Sequence, residues 1–191
     1  MLSELNNIKA VVLDFDCTIT KEHTGGRAAG PSFLEEEYIK NNTKNGFAEF
    51  VHGAIRRQWH IYIATYGDDS FAWNDEEVAG HALIERYMQY HFGRDQSVFR
   101  TPERDGEGTI TKYHNVIAKF SGDQKAFHWT LIFEQLKDQV QAHEILFLDD
   151  DEGNIAYAQE AGCQAVVQGS KEHAALICAN ENVFELLNIN L

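Results

Sequence analysis

Three stretches of this chain end an apolar run in residues suited to phosphoryl chemistry. Ile8-Lys9-Ala10-Val11-Val12-Leu13 leads into Asp14-Phe15-Asp16, Ile61-Tyr62-Ile63-Ala64 into Thr65, and Ile145-Leu146-Phe147-Leu148 into Asp149-Asp150-Asp151. Asp14, Asp16, Asp149 and Asp150, gathered at one edge, would repel one another unless a cation sat among them. A hard divalent ion that prefers oxygen ligands, magnesium, suits that donor set. Such an ion neutralises a phosphate oxygen and orients an ester for in-line attack. Asp14 beside it can be the nucleophile that forms an aspartyl-phosphate. Asp16, two residues on, can protonate the leaving group and later activate water. Thr65 offers a hydroxyl and an amide to a phosphate oxygen. A lysine must balance the remaining charge, and Lys112, Lys119 and Lys125 all precede the third stretch.

These residues need a scaffold that delivers them together. Continuous apolar, β-branched runs separated by helical stretches predict βαβ units and a parallel sheet, with a further strand at Ala165-Val166-Val167. Helical spacing is present over 47–58, 75–92, 123–140, 154–161 and 171–187, with Ala126, Thr130, Phe133 and Leu136 as the apolar face of the third. In such sheets ligands bind beyond the carboxyl ends of the strands, where the acids and Thr65 fall. The expected fold is α/β, a Rossmann-like three-layer sandwich. The polar, glycine-bearing segments 21–45 and 100–111 read as loops or small insertions on its rim, and residues 1–191 as one domain.

Composition narrows the function classes. A formal charge of −14 disfavours nucleic-acid partners. It also requires that specific cations reverse the local field wherever an anionic substrate binds. The apolar runs are too short to cross a bilayer, and the first residues have neither a basic leader nor an apolar core. Cys17, Cys163 and Cys178 show no metal-binding spacing and make a poor disulfide framework, which points to a reducing, cytoplasmic setting. Nothing in the residues indicates an oligomeric state.

The order of these motifs resembles the haloacid dehalogenase superfamily. Asp14-Phe15-Asp16-Cys17-Thr18 is similar to its first motif, Thr65 to its second, and Phe147–Asn154 to the double-aspartate form of its fourth, with Ala158, Ala161 and Gly162 as the small residues that follow. The resemblance implies a magnesium site built from Asp14, Asp149 and the main-chain carbonyl of Asp16, with Asp150 near it. Lys125-Ala126-Phe127-His128-Trp129 resembles the Lys-x-x-His-Phe pattern of the small magnesium-dependent phosphatases related to RNA-polymerase-tail phosphatases. That likeness selects Lys125 as the phosphate-binding lysine and implies a fold with a minimal cap or none. About 50 residues separate Asp14 from Thr65 and about 60 separate Thr65 from Lys125, too few for core elements and a full cap domain. An open crevice suits a phosphoprotein, phosphotyrosine included. The rival substrate is a small sugar or nucleotide phosphate held by segment 21–45.

Each residue also has a plainer role. Asp-x-Asp pairs close strands and turns, an acidic triplet suits a helix N-terminus, and Lys125 or His128 can serve only to pack or cap. Cys17 lacks the following arginine that a cysteine phosphatase needs, and reads as a small filler. Tyr87, Tyr90, His91 and Phe92 read as core, and Glu35-Glu36-Glu37 as a solvated helix face. A phosphate-receiver domain would carry its paired acids first and its reactive aspartate later, the reverse of the order here. A catalytically inactive binding module is the remaining alternative of another class.

Overall fold

The computed structural model describes residues 6–29, 32, 35–74, 76–93, 98–123, 125–165 and 183–188. Its centre is a parallel sheet in which β1 (Ala10–Leu13) lies between β3 (His60–Thr65) and β8 (Ile145–Leu148). Beyond β3 lies β7 (Val116–Ala118), and beyond β8 lies β9 (Gln164–Ala165), giving the order β7-β3-β1-β8-β9. Residues 166–167 of the expected fourth strand, and Cys178, lie outside the described residues. β7, three residues long, carries too little pattern to be read from sequence.

The apolar runs are continuous because both faces of the sheet are covered. Val11, Leu13, Ile61, Ile63, Leu146 and Leu148 face one core, shared with α2 (Phe47–Arg56), α3 (Gly80–Phe92) and α6 (Val183–Asn188). Ala10, Val12, Tyr62, Ala64 and Phe147 face the other, shared with α4 (Ala126–Leu136) and α5 (Glu152–Glu160). Each fully buried aliphatic or aromatic side chain contributes roughly 1.5–3 kcal/mol, so these alternating rows fix both register and layering. The fold is a three-layer α/β sandwich, as its sequence pattern predicts.

Several element boundaries differ from expectation. The helix expected over 75–92 begins at Gly80, because β4 (Glu77–Ala79) pairs antiparallel with β2 (Arg27–Ala29) instead. The segment 21–45 therefore holds a strand and a helix, α1 (Glu36–Asn42), whose Glu36 and Glu37 are exposed. Segment 100–111 contains most of a small ribbon, β5 (Glu103–Arg104) with β6 (Ile110–Lys112). In α4 the buried side chains are His128, Trp129, Ile132 and Leu136, while Thr130 is exposed and returns its hydroxyl to the Ala126 carbonyl at 2.9 Å. The expected face was thus rotated, because Trp129 rather than Thr130 packs on Phe147. The helix expected over 171–187 is described only from Val183, where Phe184 packs on Phe47 and Phe50. Among the described residues no helix is long and apolar enough to cross a membrane.

Candidate active site

Strand order reverses between β1 and β8, and that switch point is where a parallel sheet opens a crevice at its carboxyl edge. Asp14 leaves β1 there, its amide donating to the Leu148 carbonyl at 2.8 Å, and Asp149 follows β8 directly. Both are buried. The Lys125 ammonium, 1% exposed, lies between them and donates to Asp14 Oδ1 and Asp149 Oδ2, each at 2.5 Å. Lys125 takes the left-handed conformation, φ 63°, at the start of α4. Such backbone strain in a non-glycine residue persists only where surrounding structure imposes it.

The acidic triplet divides its work. Asp149 accepts from the Asp151 amide at 2.9 Å and from Asn154 Nδ2 at 3.1 and 3.2 Å. Asp151 caps α5, accepting from the Asn154 amide at 3.0 Å. Asp150 stands beside the crevice: one oxygen each from Asp14, Asp149 and Asp150 lies within 4.8 Å of the others. Burial raises the Asp14 carboxyl well above the ordinary range, and Asp149 and Asp150 push the same way against Lys125. Burial and Asp149 likewise raise Asp150 to about 6. All-oxygen donors whose mutual repulsion one ammonium leaves uncompensated fit a hard divalent cation.

Asp16 is buried but stands apart from that oxygen cluster. Its Oδ1 accepts from the Thr24 amide at 2.9 Å and the Thr24 hydroxyl at 2.6 Å, and its Oδ2 from the Gly26 amide at 3.1 Å. The loop carrying it is braced from below, where the buried Lys44 ammonium donates to the Cys17 carbonyl. Cys17 is buried with φ 57°.

Thr65 is buried at the end of β3 and lines the same cavity. Its carbonyl accepts from His128 Nε2 at 2.9 Å and from the Lys119 amide at 3.0 Å. Burial and the Lys125 ammonium lower the His128 imidazole to about 4, so it is neutral and serves as a donor. The cavity, about 250 Å³, is walled by Asp14, Asp16, Thr65, Asp149 and Asp150 below and by Tyr66, Phe71 and Phe120 toward the mouth.

Main chain meets main chain across one side of that mouth, with the Phe71 ring beside it. Gly26 has φ +72°, and a Cβ on it would lie 2.5 Å from Gly67 Cα; one on Gly67 would lie 2.8 Å from Gly26 Cα. Nearby, Asp68 joins the loops after β3 and β7, accepting from Lys119 Nζ at 2.8 Å, Ser70 N at 3.0 Å and Phe120 N at 3.2 Å. Burial opposes ionisation of Asp68, yet these donors outweigh it and hold the carboxyl down at about 2. A depressed folded pKa stabilises the protein above the unfolded value and loses that contribution as pH falls through the folded one. Asp68→Asn is therefore expected to cost on the order of 1–2 kcal/mol at neutral pH, allowing for the solvent around Lys119. The gap from wild type, read by thermal unfolding, should close between about pH 4 and 2; a gap independent of pH would contradict the assignment.

Asn154, Tyr66, Thr24 and Gly26 were not assigned roles from sequence. Tyr66 donates to Asn154 Oδ1 at 2.9 Å and so orients the amide that holds Asp149. The signal for Asn154 was its place one helical turn past the acidic triplet. Thr24 and Gly26 sit in a turn with no periodicity to betray them. Lys112 and Lys119, the other candidate lysines, pair with Glu103 and Asp68.

No family model and no curated protein sequence matches this chain. Among solved structures it is similar to the N-terminal part of a Bacteroides fragilis protein containing a phosphatase domain, crystallised with Mg. That likeness has a TM-score of 0.50 and 16% identity over 96% of this chain and 40% of the other. It is also similar to DsGPDH of Dunaliella salina, with a TM-score of 0.51 and 13% identity over 88% of this chain and 25% of the other. The chain thus spans less than half the length of either. At such identities the likeness establishes the fold alone.

Proposed function

We propose that this chain is a magnesium-dependent phosphomonoester hydrolase of the haloacid dehalogenase type, working through a phosphorylated Asp14. The observation that carries the reading is the buried Lys125 ammonium clamped between Asp14 and Asp149 at the switch point of the sheet, with Asp150 alongside. Asp14, Asp149 and Asp150, with the Asp16 main-chain carbonyl that the family resemblance adds, would hold magnesium, which when bound screens phosphate charge and orients the ester. Asp14 attacks phosphorus. Lys125 and the Thr65 hydroxyl and amide hold the transferring oxygens as charge builds on them. Asp16 gives a proton to the departing oxygen and then takes one from the water that frees Asp14.

The mouth supports a phosphoprotein substrate, phosphotyrosine included. The described chain adds β2, α1 and α2 between Asp14 and Thr65, and β4, α3, the β5–β6 ribbon and β7 between Thr65 and Lys125, short elements that favour an open crevice. Phe120, 61% exposed, stands with Tyr66 and Phe71 at its lip, and ring centroids 6.0–6.3 Å apart make an aromatic wall for an aryl ester. One observation favours the second reading, a small sugar or nucleotide phosphate. A cavity of about 280 Å³ lies between the 21–45 region and α3, lined by Glu22, His23, Thr24, Tyr38, Leu83 and Tyr87, and shares His23 with the crevice.

Hydrolysis of a phosphotyrosine peptide against phosphorylated sugars and nucleotides, with magnesium and with EDTA, separates these readings. The expected result is EDTA-sensitive turnover that favours the peptide. Preference for one metabolite would move the substrate into the second cavity. Magnesium binding without turnover of any ester would make the chain a binding module.

A further inference from the structure

Asp16 is held by an unusually complete set of donors for a group that must give up a proton. Both donors on Oδ1 come from one residue, the Thr24 amide at 2.9 Å and the Thr24 hydroxyl at 2.6 Å. A carboxyl oxygen has two lone pairs, so Oδ1 is filled. Among the described residues Oδ2 receives only the Gly26 N–H at 3.1 Å, and that N–H is shared with Thr24 Oγ1, also at 3.1 Å. His23 Nδ1 lies farther from Oδ2, at 3.5 Å, and itself accepts from the Gly25 amide at 2.8 Å. The two oxygens are therefore inequivalent. Oδ1 has both lone pairs filled by Thr24, whereas Oδ2 keeps one lone pair beside Gly26.

We infer that Thr24 is a positioning residue for the acid step: it fixes the rotation of the Asp16 carboxyl and assigns the transferable proton to Oδ2, the oxygen beside Gly26 in the crevice wall. The inference rests on the reading of Asp16 as the proton donor. In that step the bond from phosphorus to the leaving oxygen breaks as Asp14 bonds to phosphorus. The electron pair stays on the leaving oxygen, which takes the Oδ2 proton and departs as the alcohol. The Asp16 carboxylate then takes a proton from the attacking water as the bond from phosphorus to Asp14 breaks, which releases phosphate and restores both carboxyls. Without the Thr24 hydroxyl, Oδ1 loses its shorter contact, and either oxygen can carry the proton or turn from the crevice.

The test is kcat/KM, which reports transfer to Asp14, measured over a series from 4-nitrophenyl phosphate through phenyl phosphate to alkyl phosphates. Nitrophenolate departs without a proton, whereas an alkoxide needs one. Thr24→Val is expected to lower kcat/KM for the alkyl esters about 10–100-fold more than for the nitrophenyl ester, and Thr24→Ser to keep the wild-type dependence. An equal loss along the series, or a serine variant as impaired as the valine, would mean that Thr24 only supports the loop, and would overturn the inference. Asp16→Asn run in parallel separates the two levels. If it steepens the dependence while Thr24→Val does not, this inference alone fails; if it leaves the dependence unchanged, Asp16 is not the acid and both fail.

Discussion

Asp14→Asn is expected to abolish phosphate-ester turnover, by about 10⁴-fold or more, while leaving the metal-free protein at least as stable as wild type. The two halves have different causes. An amide is nearly isosteric with the carboxyl but cannot attack phosphorus to give the acyl phosphate, and Asp16 is too distinct in its bonding to substitute. The stability half follows from the electrostatics of the cluster. Burial, Asp149 and Asp150 together outweigh Lys125 and raise the Asp14 carboxyl, so its ionised form strains the fold at neutral pH. A neutral amide removes that strain. Single-turnover kinetics and thermal unfolding on the same preparation check both parts. Retained turnover would remove Asp14 from the chemistry, and a markedly lower unfolding temperature would mean that Lys125 binds Asp14 more strongly than the cluster repels it.

Lys125→Met should be damaging in both respects. It leaves the buried Asp14 and Asp149 without their shared ammonium, and stranding a buried ionic partner costs about 3–5 kcal/mol. Burial alone would lower the lysine's own affinity for its proton, but Asp14 and Asp149 raise it above the ordinary value, so the charge is present throughout the working pH range. Turnover should fall by about 10²–10³-fold, the usual scale for removing one preorganised charge from a transferring group. Two further readings distinguish this from general misfolding. Millimolar magnesium should return part of the lost stability, because it supplies another cation to the same oxygens. Acid should narrow the gap from wild type, because protonating the carboxylates removes the repulsion that the lysine had balanced. A variant as stable as wild type in denaturant would show that the carboxylates need no counter-charge.

How far the sequence discloses this arrangement depends on the kind of constraint. β1, β3 and β8 are legible because burial on both faces leaves runs such as Val11-Val12-Leu13 and Leu146-Phe147-Leu148, and the residue that ends each run must emerge at the sheet edge. The fold class follows from those strands. β2, β4 and β7, each three residues long, leave almost no pattern, and β4 instead merges with the helix after it. The rotation of α4 was hidden because Phe133 and Ala126 share helical spacing with Leu136, whereas the packing of Trp129 on Phe147 depends on tertiary contact. In the candidate site, the acids, Thr65 and Lys125 could be named because chemistry restricts which residue types serve. The partners that aim them could not. Thr24 and Gly26 donate to Asp16 from a turn in which Gly25 and Gly26 both have positive φ, and Tyr66 reaches Asp149 by way of Asn154.

The contact of Gly26 with Gly67 limits how the specificity of this crevice could be redesigned. Backbone presses on backbone there, at separations where even a methyl group would collide, so no choice of side chain adjusts that part of the aperture. Phe71, Phe120 and His23 can be exchanged to suit a different ester, as fittings in a frame. The frame itself changes only if the loops after β1 and β3 are rebuilt together, since lengthening either one alone would drive it into the other.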